Sequence, residues 1–115
     1  MYQLAYTQIV DESSGELRAH ERHAMDRTIE LLTIARERGP GTVEEVDALY
    51  YVRRLWAIFM DDLGNPENEL PKELRASLFS IGLWMLKEID RVRTGATEDL
   101  TPMIEINEII RDGLK

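Results

Sequence analysis

His20 and His23 stand three residues apart in "HERHAMD", with Glu16, Glu21 and Asp26 close by. A zinc hydrolase sets two histidines four apart on one helix face and places a glutamate directly after the first, where it serves as general base. The spacing here is three, and no second cluster completes a ligand set, so the residues read as a solvated, charged helix face. The acidic run "DDLGNPENE" at 61–69 contains a glycine, but its oxygens miss the alternating positions that an EF-hand loop needs around calcium. No glycine-rich loop lies between a strand and a helix to cradle phosphate. Nothing suggests a Ser-His-Asp triad, and without cysteine there is no thiolate nucleophile or thiolate metal site. The expectation is a non-enzyme with no catalytic residue, no cofactor and no metal.

One further constellation has a chemistry. Arg53 and Arg54 adjoin Tyr50 and Tyr51, and such a group can stack on single-stranded RNA. The net charge of −8 opposes it, because an acidic protein repels nucleic acid at long range. The pair reads better as surface or interface salt-bridge partners. The first ten residues, "MYQLAYTQIV", have neither a basic leader nor a long apolar run, which predicts no signal peptide, no membrane insertion and a cytoplasmic location.

The elements that must carry these residues are helices. The length of 115 residues suits one domain, 1–115. "GPG" at 39–41, "GNPENELP" at 64–71 and "TGATEDLTP" at 94–102 have turn compositions, and the segments between them repeat apolar residues at helical spacing. Ser13 with Glu16, and Thr42 with Glu45, form capping boxes. The spacing predicts helices near 13–38, 42–63, 71–94 and 102–112. Short connections make consecutive helices antiparallel, so the fold class is all-α, a small antiparallel helical bundle of about four helices. Residues 1–12 form an arm in which Tyr2, Leu4 and Tyr6 alternate as in a strand, while Tyr2, Ala5, Tyr6 and Ile9 fit a helix face. The arm is expected to pack on the bundle rather than exchange with a second copy.

On a wheel of about 100° per residue, "YYVRRLWAIFMDDL" at 50–63 divides into two faces. With Leu49 just before it, Val52, Trp56, Phe59, Met60 and Leu63 form the expected core side. Tyr51, Leu55 and Ile58 lie on the other side with Arg54. In the third helix Leu74, Leu78, Ile81, Met85, Ile89 and Val92 form the core side, and Phe79, Leu83 and Leu86 widen the apolar arc. In the first, Leu17, Ala24, Thr28, Leu31, Leu32 and Ala35 share a face. A helix apolar nearly all round is central in its fold or awaits a partner. Either the second and third helices are the middle of the bundle, or Tyr51, Arg54, Leu55 and Ile58 belong to a partner-binding surface. Asp61 and Asp62 break a local rule, since negative charge is disfavoured at a helix C-terminus. An ion pair with Arg75 or another basic residue would offset it.

The segments "RRLW", "NELP", "SIGLWML" and "IIRDGL", in this order, together with the opening "MYQLAY", resemble the flagellar biosynthesis regulator FlaF family of alphaproteobacteria across essentially the whole chain. Phe79 stands where an aliphatic residue is expected. The resemblance implies a cytoplasmic, chaperone-like regulator that promotes flagellin synthesis and export for bacterial motility. It implies flagellin as a directly bound partner, with the regulator FlbT as a second. An action on flagellin messenger RNA, directly or through FlbT, is the other reading that the resemblance leaves open.

Overall fold

The computed structural model describes residues 22–113, which form four helices and no strand. The first, α1, covers 22–38 of the described chain. It is followed by α2 (Val43–Leu63), α3 (Lys72–Arg93) and α4 (Thr101–Gly113). The start expected at Ser13 and the arm at 1–12 lie outside the described residues. Among the described residues, no helix is long and apolar enough to cross a membrane.

Local chemistry sets the helix ends. The Thr42 hydroxyl accepts a hydrogen bond from the Glu45 backbone N–H at 3.3 Å, and the Glu45 carboxylate accepts one from the Gly41 N–H at 3.1 Å. This is the expected capping box, with the glutamate reaching one residue further back than usual. At the same end of the bundle α3 closes in a Schellman motif. The Ala96 N–H donates to the Arg91 carbonyl and the Gly95 N–H to that of Val92. Gly95 has φ +84°, a left-handed conformation that a Cβ would strain.

Side-chain contacts give the arrangement. Arg53 of α2 pairs with Asp90 of α3 at 2.6 Å, and Met60 packs on Gly82, so α2 and α3 are antiparallel. At one end Arg36 of α1 donates to Thr101 at the start of α4, and at the other Arg111 of α4 pairs with Asp26. Helices α1 and α4 are therefore also antiparallel, and the bundle runs up-down-up-down. Its centre is Trp56, fully enclosed and meeting Phe59 edge to face at 5.3 Å. The Trp56 indole N–H donates to the Asn107 side-chain oxygen at 3.0 Å, and the Asn107 amide donates to the Met103 carbonyl at 2.7 Å. One buried asparagine thus joins α4 to the tryptophan of α2 with its own polar groups satisfied.

The expected core side of α2 is buried throughout. That of α3 needs correction. Met85, Ile89 and Val92 are buried, but Leu78 and Ile81 are half-buried and Leu74 is 44 % exposed. The register explains it. With Arg53 opposite Asp90 and Met60 opposite Gly82, α2 ends level with about residue 80 of α3. The first two turns of α3 extend past that end of α2. In α1, Thr28, Leu32 and Ala35 are buried as expected, Ala24 and Leu31 are half-buried, and Leu17 lies outside the described residues. Met25 joins the core as well.

Candidate functional site: an apolar seam beside a buried carboxylate

Gly82 sits where α3 crosses α2. A Cβ there would stand 2.5 Å from Met60 Sδ, so only glycine admits the methionine at this separation. The close approach brings two apolar rows together along the seam. Ala57, Met60 and Gly64 come from α2 and its end, and Phe79 and Leu86 from α3; with Asp61, Asn65 and Pro66 they line an open groove of about 670 Å³. Leu83, 47 % exposed, lies between Phe79 and Leu86 on α3. Phe79, Leu83 and Leu86 are the residues that widen the apolar arc of α3 beyond its core stripe. Ala57 and Gly64 were missed, because neither is large enough to register as hydrophobic on a wheel.

The surface expected at Tyr51, Arg54, Leu55 and Ile58 lies on the other flank of α2. Ile58 is 37 % exposed and Arg54 is exposed, whereas Tyr51 is half-buried and Leu55 is half-buried against the core. The Arg54 guanidinium stands over the Tyr50 ring, 5.9 Å from its centroid, a cation–π contact. Arg53 is engaged by Asp90, which Arg93 also contacts at 3.4 Å. The two adjacent arginines thus have separate partners.

The run "DDLGNPENE" builds a turn. Asn65 Oδ1 accepts from the Glu67 N–H at 2.8 Å, and Asn68 Oδ1 from that of Leu70 at 3.0 Å, two side-chain-closed turns. Buried Asn68 then donates to both the backbone carbonyl and the carboxylate of Asp62, at 3.1 and 3.2 Å. The ion pair expected with Arg75 is not made by Asp62, which is 1 % exposed and leaves Oδ1 without a hydrogen-bond partner. Arg75 likewise has a buried, unpartnered Nε. Burial drives the Asp62 pKa up to about 6; the Asn68 hydrogen bond pulls it down, and the Asp61 charge adds to the rise.

His23 is exposed on α1, while His20, Glu16 and Glu21 lie outside the described residues. Among the described residues, no three histidine, aspartate or glutamate side chains gather as a metal would require. The arrangement offers apolar surface on two flanks of one helix pair, suited to binding another polypeptide.

A family model described as flagellar protein FlaF matches residues 2–114. No curated protein and no solved structure matches. With a match over nearly its full length, the chain belongs to the FlaF family, and membership implies a role in flagellum biogenesis.

Proposed function

We propose that this chain promotes flagellin synthesis and export by binding flagellin itself, as a non-enzymatic, chaperone-like regulator in the cytoplasm. The observation that carries the reading is apolar surface left on α2 and α3 after the core is complete: Ile58, Phe79, Leu83 and Trp84 are all exposed. An amphipathic helix of the partner would lay its apolar face on such a surface. Tyr51, Arg54, Leu55 and Ile58 are the contact residues on α2, with aromatic and arginine side chains of the kind that anchor interfaces. Capture of purified flagellin by the purified chain tests the proposal, and loss of capture in Ile58→Asp with an unchanged thermal melt supports the site. Failure to bind flagellin at micromolar concentrations overturns it.

The second reading is action on flagellin messenger RNA, directly or through FlbT. Exposed Arg54 over Tyr50 is the observation on its side. The net charge of −8 and the engagement of Arg53 by Asp90 weigh against direct contact. RNA binding would weaken steeply with salt, while an apolar contact would change little.

A further inference from the structure

Helices α1 and α2 are joined by four residues, 39–42, and Arg38 of the one reaches Glu44 of the other at 3.6 Å. Each has its other neighbour on the far flank. Asp26 and Arg36 turn α1 towards α4, while Arg53 and Met60 turn α2 towards α3. The remaining flank of α1 carries Arg27, Leu31 and Ile34, at i, i+4 and i+7. That of α2 carries Tyr51, Leu55 and Ile58 at the same spacing. Leu31 and Leu55 both rest on the core, whereas Ile34 and Ile58 are each more than a third exposed. The two flanks enclose a cleft with a half-buried apolar floor and an exposed isoleucine on each wall.

The short link sets the register. Ile34 lies four residues before the end of α1 and Asp47 four after the start of α2; Arg27 and Arg54 lie eleven from the same two ends. Each pair therefore stands level across the cleft. Arg27 is held by Glu30 of its own helix. Arg54 has the Tyr50 ring but no carboxylate, and Asp47 is exposed with no cation against it among the described residues. One open cation and one open anion thus mark the cleft, about 10 Å apart along α2. Charges at the edge of an interface fix register and exclude wrong partners more than they add affinity. A helix laid between α1 and α2 satisfies both when its own carboxylate meets Arg54 and a lysine or arginine about two turns away meets Asp47. The same helix reversed sets like charge against like.

We propose that the α1–α2 cleft, walled by Ile34 as well as Ile58, is the seat of the partner helix, and that Arg54 and Asp47 select a helix with one acidic and one basic residue two turns apart beside its apolar stripe. The inference rests on the reading that the chain binds flagellin. It adds a second wall to the site and a charge pattern to the bound segment.

Isothermal titration of the full chain with purified flagellin tests it. Ile34→Asp, Arg54→Glu and Asp47→Lys are each expected to lose at least about tenfold in affinity while keeping the thermal melt of the parent. Ile109→Asp, exposed on α4, is the control and is expected to bind as the parent does. Should Ile34→Asp lower the melt, Ile34→Ala reads the same wall without an added charge, and a loss of about threefold is expected. Where the parent binds, an affinity equal to or above the parent's in any of the three cleft variants overturns the proposal and leaves flagellin binding standing. An equal loss in Ile109→Asp also overturns it, by showing a general effect of added charge. No binding by the parent overturns the cleft and the flagellin reading together.

Discussion

At the scale of single residues, two buried polar side chains carry measurable consequences. Asp62 has a folded-state pKa of about 6 against 3.8 in a free chain, because burial disfavours its charge. The raised value means that the folded protein holds the proton more tightly than the unfolded one. Stability from this group is therefore highest below about pH 4, falls as pH rises towards 6, and then levels off. The loss is about 2–3 kcal/mol at most. Asp62→Asn should remove this fall, so that the stability difference between variant and parent grows in the variant's favour from pH 4 to pH 6.5. Parallel denaturation profiles for the two proteins would show that the carboxyl is not the titrating group. Asn107 makes the other case. Asn107→Ala leaves the buried Trp56 indole N–H without its acceptor, and a cost of about 2–4 kcal/mol is expected from the lost bond and the cavity together. Urea denaturation checks it, and a loss below half a kcal/mol would place a substitute acceptor beside Trp56.

At the scale of elements, the α2–α3 crossing depends on Gly82. Alanine is the better helix former by about 1 kcal/mol, so a helix interior would ordinarily gain from Gly82→Ala. Here the new Cβ meets the Met60 thioether, and overpacking of this kind costs about 1–3 kcal/mol. A net destabilisation near 1 kcal/mol is expected. Shortening the opposing side chain should reverse the sign. In a Met60→Ala background, Gly82→Ala should stabilise the protein by several tenths of a kcal/mol, the propensity gain acting without the clash. A double-mutant cycle from chemical denaturation reads the coupling directly, and additive effects would mean that the helices do not meet at this point.

At the scale of the whole molecule, the two flanks of α2 separate stability from binding. Ile58 is more than a third exposed, so Ile58→Asp should shift the thermal midpoint by less than about 3 °C. If flagellin docks on that flank, the same variant should lose at least tenfold in affinity, about 1.4 kcal/mol, by isothermal titration. The parent affinity should change little between 50 and 300 mM salt. A steep salt slope would instead indicate charge pairing with a polyanion. A collapsed melt for Ile58→Asp would return that flank to the core and remove the binding surface.

The sequence by itself determined the features that depend on neighbours within a turn or two. Thr42 and Glu45 marked a helix start because a hydroxyl and a carboxylate three residues apart satisfy free backbone N–H groups wherever they occur. Leu49, Val52, Trp56, Phe59, Met60 and Leu63 were legible as a core face because the 3.6-residue period places them on one side. Order along the chain, with short links, then fixed an antiparallel bundle. What the tertiary structure alone decided follows from the offset between helices, which no periodicity encodes. The offset of α2 against α3 leaves Leu74 outside the core although it lies on the same stripe as Met85. It sets Gly82 against Met60 and so opens the groove. For Asp62 the sequence offers an ion pair with Arg75 or another basic residue, because a carboxylate in the last turn of a helix ordinarily needs a cation. Its carboxylate is held in the buried turn by Asn68, six residues along the chain. Asn107, a polar residue in an apolar helix, gained its meaning only when Trp56, fifty-one residues away, was placed against it.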